Sequence, residues 1–508
     1  MSRILVVLSI FLGAFLLFQV QPLIAKVILP KFGGGAAVWT ASLLFFQTVL
    51  FAGYLYAHLL TKIKSAEKQW LVHGLVVLLS VALLPIGLNA NTVFHVEQSP
   101  VLSIFVALLF AVGGPYFILA ATGPVVQRWL TYFEHETLPY RLYSVSNVAS
   151  LIALISFPFI VAPYLSSSGQ QKTWSLLYGI YAVLMLSLLY SFWQKRNNGS
   201  LLVTLSESND NRANHSRLPL THIVLWLTLS SLGVILLVAT TSAMTQNVPP
   251  VPFLWILPLS LYLLTFIISF HSTHWYVRWY WVSFFILCAL LGVLMHFIGS
   301  QLDIVSQVVI YASILFSGCM ICHGELTRLK PQANHLTLFY LMMSLGGFLG
   351  SALVAFVAPL VFAYFVEYPL SLIAVLVLVA FCNRLELNSS LTKQAWLSEV
   401  SMGIAIILAI GFILLNQQYV KNDVFSARNF YGALSVKDVQ IANNTERRLV
   451  DGTTSHGTQY LDPTKAYIPL SYYRAKTGVA IAFDVLNDKK INAGLIGLGA
   501  GALAAYGR

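Results

Sequence analysis

Three groups of residues in this chain have types and spacings that could support chemistry. Near the C-terminus, the apolar stretch Ile491 to Ile496 runs into Gly497, Gly499 and Gly501, and an alanine-rich segment follows. A strand, a glycine turn and a helix start in that order form the context of a nucleotide-binding loop. Glycines permit the tight turn and close ligand approach, and a helix N-terminus offers free N–H groups.

The second group is Cys319-Met-Ile-Cys322-His323. Its spacing fits covalent haem attachment or a thiol redox pair. Both chemistries need exposed thiols, whereas this motif ends an apolar run, and no second His or Met ligand is paired with it. We expect a structural helix end, with no haem and no metal. The third group is polar: Gln19, Gln21, Gln47, His58, Gln127, Asn147 and Gln246 lie in or beside apolar runs. Such residues either bond neighbouring helices or line a pathway. Glu134, Glu136, Glu325 and Glu367 read as loop-edge residues, so no carboxylate is expected within a span. Gly33-Gly34-Gly35, Gly113-Gly114-Pro115 and Gly346-Gly347 with Gly350 suit close helix packing or helix breaks.

The elements that must position these groups follow from composition. Of 508 residues, 58% are hydrophobic and 9% charged, and the mean hydropathy is +0.77. Soluble domains carry about 25% charged residues, so a water-soluble globule is excluded. The net charge of +11 comes from basic residues scattered singly, which is no nucleic-acid footprint. Four cysteines in apolar context make no disulfide framework.

A spanning helix needs about 20 apolar residues. Runs of that kind fall near 4–25, 36–60, 70–90, 101–126, 143–165, 174–193, 221–243, 252–270, 278–298, 304–323, 336–362, 366–382 and 399–416. The expectation is an all-α polytopic membrane domain over 1–416 with thirteen spans. The first run continues to Lys26 without a small-residue cleavage site, so it reads as a span and not as a cleaved signal peptide. With the N-terminus in the cytoplasm, 15 of the 18 Lys and Arg residues before 417 fall inside, and only Lys26, Lys31 and Lys172 fall outside. The polar loop 194–219 divides the spans six and seven, an arrangement similar to that of major-facilitator-like transporters with one helix added.

Residues 417–508 hold 11 Lys and Arg and 7 Asp and Glu, roughly the density of a soluble domain. Short alternating pieces (433–436, 439–441 and 448–450) separated by Asn, Gly and Asp predict β-hairpins over Asp423 to Leu461. We assign 417–490 as a β-hairpin region and 491–508 as the first strand and glycine loop of a Rossmann-like unit.

Several motifs together are familiar. In the tail they are Arg428-Asn-Phe-Tyr-Gly432, the run Arg448 to Gln459, Pro469-Leu-Ser-Tyr-Tyr473 and Gly497-Leu-Gly-Ala-Gly501. In the membrane part they include Leu29-Pro-Lys-Phe-Gly33, Gly53-Tyr-Leu-Tyr-Ala-His58, Pro139-Tyr-Arg-Leu-Tyr143, Pro252-Phe-Leu-Trp-Ile-Leu-Pro258 and Cys322-His-Gly-Glu-Leu326. This set resembles bacterial proteins that fuse a multi-spanning, transporter-like region to a spermidine synthase-like (polyamine aminopropyltransferase) domain.

The resemblance implies an inner-membrane protein, a decarboxylated S-adenosylmethionine co-substrate and a polyamine partner. It implies that Gly497, Gly499, Gly501 and Gln459 bind the cofactor, with Tyr472, Tyr473 and His456 near the amine pocket. His456 reads equally as a hydrogen-bonded turn histidine. Aminopropyl transfer also needs carboxylates and a base, and a ribose-binding acid belongs about 20 residues past the glycines. The sequence ends seven residues past Gly501. The expectation is therefore a catalytically incomplete relative without catalytic residues of its own: a truncated product, a fragment or a degenerate form. The alternative is a transporter or scaffold with a vestigial tail. Thirteen spans place the tail outside, whereas a cytosolic cofactor favours the inside.

Overall fold

The computed structural model of the chain describes residues 3–33, 35–88, 99–133, 138–197, 218–246, 252–331, 335–387, 395–452, 454–486, 491–497 and 499–507. Gly34, Glu134, Glu136, Arg212, Arg217 and Lys393, and most of the central polar loop, lie outside the described residues.

Each of the thirteen apolar runs is a helix. They are α1 (Arg3–Phe32), α2 (Ala36–Leu60), α3 (Ala66–Val81), α4 (Pro100–Leu130), α5 (Leu138–Ser156, continued to Tyr164) and α6 (Ser167–Asn197). The second set is α7 (Leu220–Thr245), α8 (Pro252–His271), α9 (Arg278–Ile298), α10 (Ile304–Arg328), α11 (Leu336–Val361), α12 (Glu367–Leu387) and α13 (Ala395–Val420). Twelve of them are long and apolar enough to cross a bilayer, and the protein is a multi-pass membrane protein. The exception is α3, whose 16 residues reach about 24 Å at 1.5 Å per residue. The chain nevertheless traverses the bundle there. Glu67, at the start of α3, pairs with Arg196 at the end of α6, and the Ile86 N–H, just past α3, donates to Ser175 near the start of α6.

The helices therefore alternate in direction, and the bundle has a near end, where α1 begins, and a far end. Three of them contain a π-helical turn in their far-end half: Leu109–Gly113 in α4, Phe157–Val161 after α5 and Leu353–Val357 in α11. Each turn contains or adjoins a proline (Pro115, Pro158 or Pro359), which cannot donate to the carbonyl four residues back. In α4 that carbonyl belongs to Ala111, and the Gly87 N–H satisfies it at 3.1 Å.

Within the halves, α1 packs on α5 and α7 on α11; between them, α2 packs on α11 and α5 on α8. The α7–α11 contact requires glycine. A Cβ on Gly346 would sit 2.5 Å from the Leu227 carbonyl oxygen, and one on Gly350 would sit 2.5 Å from that of Ser231. The thirteenth helix lies outside this arrangement against α12 and α9, with Ile406, Ile407, Ile410 and Ile413 exposed on its outer face, where lipid is the fitting solvent.

Two residues after α13 the chain enters an antiparallel meander: β1 (Asp423–Arg428), β2 (Ala433–Ile441), β3 (Asn444–Asp451) and β4 (Thr454–Tyr460). The hairpins expected over Asp423 to Leu461 are this sheet. A two-residue turn joins β2 to β3, with Ala442 at φ 49°, as a primed turn requires. The meander sits at the far end. The Tyr419 hydroxyl donates to the Gly452 carbonyl at 2.7 Å, and Lys437 donates to the Tyr419 carbonyl at 2.9 Å.

Beyond the sheet the structure corrects the sequence reading. Residues 491–497 are not a strand, and Ile496 is fully exposed. A β-strand persists only where a neighbour takes up its backbone groups, and among the described residues no strand pairs with this segment. The residues after Gly501 form a single 3₁₀ turn, Ala502–Tyr506, and an additional short helix, α14, spans Gly478–Leu486. Among the described residues the Rossmann-like unit is therefore not formed.

Candidate functional site

A cavity of about 130 Å³ lies where the halves meet. The first half contributes α1, α2, α4 and α5, and the second contributes α7, α8 and α11. Pro22 interrupts the hydrogen bonding of α1 beside it, and Gln21 and Phe18 on that helix both face the cavity. Ser146, Asn147 and Ser150 arrive from α5 at the spacing of one helical face. The remaining wall mixes six aromatic side chains (Phe46, Tyr54, Tyr116, Tyr262, Phe266 and Tyr340) with aliphatic ones and a few polar groups such as Gln47, Ser230 and Ser344. Among the described residues, no charged side chain lines the cavity.

Two of its amides are incompletely bonded. Gln21 Nε2 donates to the Tyr116 hydroxyl at 3.3 Å, but Gln21 Oε1 is buried without a protein partner. Asn147 Nδ2 is likewise buried without one. Burying an unbonded polar group costs roughly 1–3 kcal/mol, a cost that a water or a solute bonding these atoms offsets.

Contacts between the halves flank the cavity. Toward the far end, Trp39 of α2 stacks on Trp255 of α8, with ring centroids 5.2 Å apart and planes 7° apart. Level with the cavity, Phe51 stacks on Phe348 at 6.0 Å, and toward the near end His58 Nδ1 bonds Thr337 Oγ1 at 3.0 Å. Of the seven polar residues named in the sequence, Gln21, Gln47 and Asn147 meet at this cavity. His58 joins the near-end closure. Gln246 lies in a second space beneath the sheet, and Gln19 and Gln127 lie outside both. The aromatic side chains of the wall gave no sequence signal, because tyrosine and phenylalanine do not stand out within apolar runs.

Glu325 lies in the last turn of α10 and Glu367 is the first residue of α12, at helix ends as the sequence suggests, but both are buried, 1% and 4% exposed. Arg278 grips Glu325 through Nε–Oε1 and Nη2–Oε2 bonds of 2.6 Å each. It also reaches Glu386 and Asn383, while Arg328 takes a second bond to Glu386. This cluster ties α9, α10 and α12 together at the near end.

Cys319, Cys322 and His323 are buried in α10. The His323 ring stacks on Phe266 at 3.6 Å, and its Nδ1 meets Thr265 Oγ1 at 2.9 Å.

In the tail, Gln459 and Gly501 line one groove of about 480 Å³ between the sheet and the glycine segment. Gln459 Nε2 donates to the Ala466 carbonyl at 3.1 Å. Gly497, Gly499 and Gly501 all have positive φ (89°, 54° and 71°), which favours glycine. His456 belongs to β4 and not to a turn, and its carbonyl accepts from the Tyr472 hydroxyl at 3.0 Å. The Tyr473 carbonyl accepts from the Tyr506 hydroxyl. Neither Tyr472 nor Tyr473 lines the groove that holds Gln459 and Gly501.

No protein-family model matches the sequence, and no curated protein matches it. Among solved structures, the backbone is similar to a crystal structure of a D-xylose–proton symporter, with TM-score 0.49, 12% identity, and 74% of this chain and 97% of that one covered. It is also similar to the E. coli xylose transporter XylE in a partially occluded inward-open form, with TM-score 0.48, 12% identity, and 73% and 95% covered. A third is a POT family transporter in complex with 5-aminolevulinic acid, with TM-score 0.44, 12% identity, and 81% and 96% covered.

Proposed function

We propose that this chain is a membrane transporter whose central cavity binds a small uncharged polar solute. Binding is followed by parting of either the far-end Trp39–Trp255 contact or the near-end His58–Thr337 contact. The observation that carries this reading is the pair of buried, unbonded amide atoms, Gln21 Oε1 and Asn147 Nδ2, in a mostly apolar cavity between the halves. A cavity of about 150 Å³ admits benzene, so a solute of roughly six heavy atoms fits. An ammonium group would enter without a counter-charge, since no carboxylate among the described residues lines the walls. The cavity therefore favours an uncharged cargo over the polyamine that the resemblance implies. The Lys and Arg distribution supports a cytoplasmic near end, which would put the sheet outside, and the bacterial inner membrane follows only from the resemblance. Proteoliposome swelling with small polyols and amides tests the reading, with putrescine uptake as the contrasting arm.

A second reading rests on the tail groove shared by Gln459 and Gly501: a nucleoside site related to that of aminopropyltransferases, for decarboxylated S-adenosylmethionine. Calorimetric titration of the purified chain with that compound tests it, with Gly501→Val as the blocked control.

A further inference from the structure

The sheet does more than follow the last helix. A space of about 240 Å³ lies between it and the far end of the bundle. Its floor and walls come from α2, α7 and α11, represented by Thr40, Ser242 and Val354. The same three helices wall the central cavity further along, through Leu43, Val234 and Gly347. The two spaces thus follow one another along one seam between the halves. Its roof is the β1–β2 turn, Arg428 to Gly432, together with Asp451.

That turn is rigid and held down. The Asn429 side-chain oxygen accepts from the Tyr431 and Gly432 N–H groups, and the Asn429 N–H donates to the Gly432 carbonyl. Phe430 packs against the membrane core. Arg428 donates through Nη1 and Nη2 to both oxygens of Glu367 at 2.9 and 2.7 Å, and through Nη1 to the Tyr364 carbonyl at 2.9 Å. Its guanidinium lies 4.2 Å from the Phe365 ring centroid. The two side chains are only 5% and 3% exposed. A fully bonded pair of this kind holds its geometry strongly, because separating it strands a buried charge.

We infer that the β1–β2 turn is a plug over the far-end mouth of the route between the halves, and that Arg428–Glu367 is its latch. Solute reaches or leaves the central cavity on that side only when the turn lifts. The inference rests on the transport reading for what passes, but not for whether the mouth is covered.

The test is therefore accessibility, not flux. Ser242→Cys places a thiol in the covered space, and the four native cysteines are buried. Reaction with a membrane-impermeant maleimide is followed on the full chain in proteoliposomes. With the latch intact, labelling should be slow. Glu367→Gln should raise the rate roughly tenfold or more, given the cost of an unpaired buried charge. The charge exchange Arg428→Glu with Glu367→Arg should return protection at least in part. Should the latch variants fail to fold, Phe430→Gly with Tyr431→Gly removes the roof and leaves the latch, and labelling should rise equally. Fast labelling of Ser242→Cys in the otherwise unaltered chain would overturn the inference. So would unchanged protection in a folded latch or roof variant. A rise in labelling without flux of any solute would uphold the plug and remove the transport reading alone.

Discussion

Arg278 and Glu325 stand 47 positions apart and meet in a two-pronged ion pair, both bonds 2.6 Å, with the two side chains 4% and 2% exposed. The pair accounts for charge inside an otherwise apolar half. Each partner alone would be prohibitive in lipid, and together with Glu386, Asn383 and the Tyr276 hydroxyl their bonds are filled.

Glu325→Leu should therefore cost about 3–5 kcal/mol, the range for breaking a buried pair. The double variant Arg278→Met with Glu325→Leu should lose less than the two single losses added together. Thermal unfolding in detergent, read by reaction of a thiol-sensitive dye with the four buried cysteines, measures both.

Gln21 and Asn147 should behave in the opposite way. Asn147→Leu removes an atom with no protein partner, so stability should hold within about 1 kcal/mol or rise. Solute flux should nonetheless fall at least tenfold if that atom bonds the solute, at roughly 1.4 kcal/mol per factor of ten. The same unfolding assay and a flux assay on one preparation separate the two effects.

Gly346→Val should prevent close packing of α7 on α11, because the new Cβ meets a backbone carbonyl at 2.5 Å. Overpacking of this kind costs about 1–3 kcal/mol or more. Yield of monodisperse protein in gel filtration reports it, with Gly411→Val, where open space surrounds the position, as the control.

How much of this was legible in the sequence varies by element. The thirteen helices were, because uninterrupted apolar length is a local property. So was the sheet, through its alternating pieces. Asn147 and Gln21 were visible as polar residues in apolar runs, but nothing local said that they would face each other across one cavity, since that depends on how α1 packs on α5. That Glu325 at the end of α10 is buried was not legible, because its partner Arg278 sits at the start of the preceding helix, 47 positions away. The 491–496 stretch shows the converse error: apolar composition suggested a strand, but a strand depends on a neighbour that composition cannot supply.

The roof over the far-end space should respond to pH through Asp451. Burial raises its carboxyl pKa, and nearby His456 partly opposes the shift. A raised carboxyl pKa means that the stability contributed by the protonated form is complete below the unfolded-state value. It is lost as pH rises through the folded-state value. Docking of the sheet should therefore weaken from mildly acidic toward neutral pH, and Asp451→Asn should flatten that dependence. Limited proteolysis of the tail across pH 4 to 8, roughly the window above an ordinary carboxyl value, follows it.

The most direct test of the central claim is solute entry into proteoliposomes containing the full chain, compared with the Asn147→Leu variant and with protein-free vesicles. At least one small uncharged polar solute should enter faster than into protein-free vesicles, and the variant should lose this flux while remaining folded. Entry of such solutes at the protein-free rate throughout, or flux indifferent to Asn147→Leu, would contradict that claim.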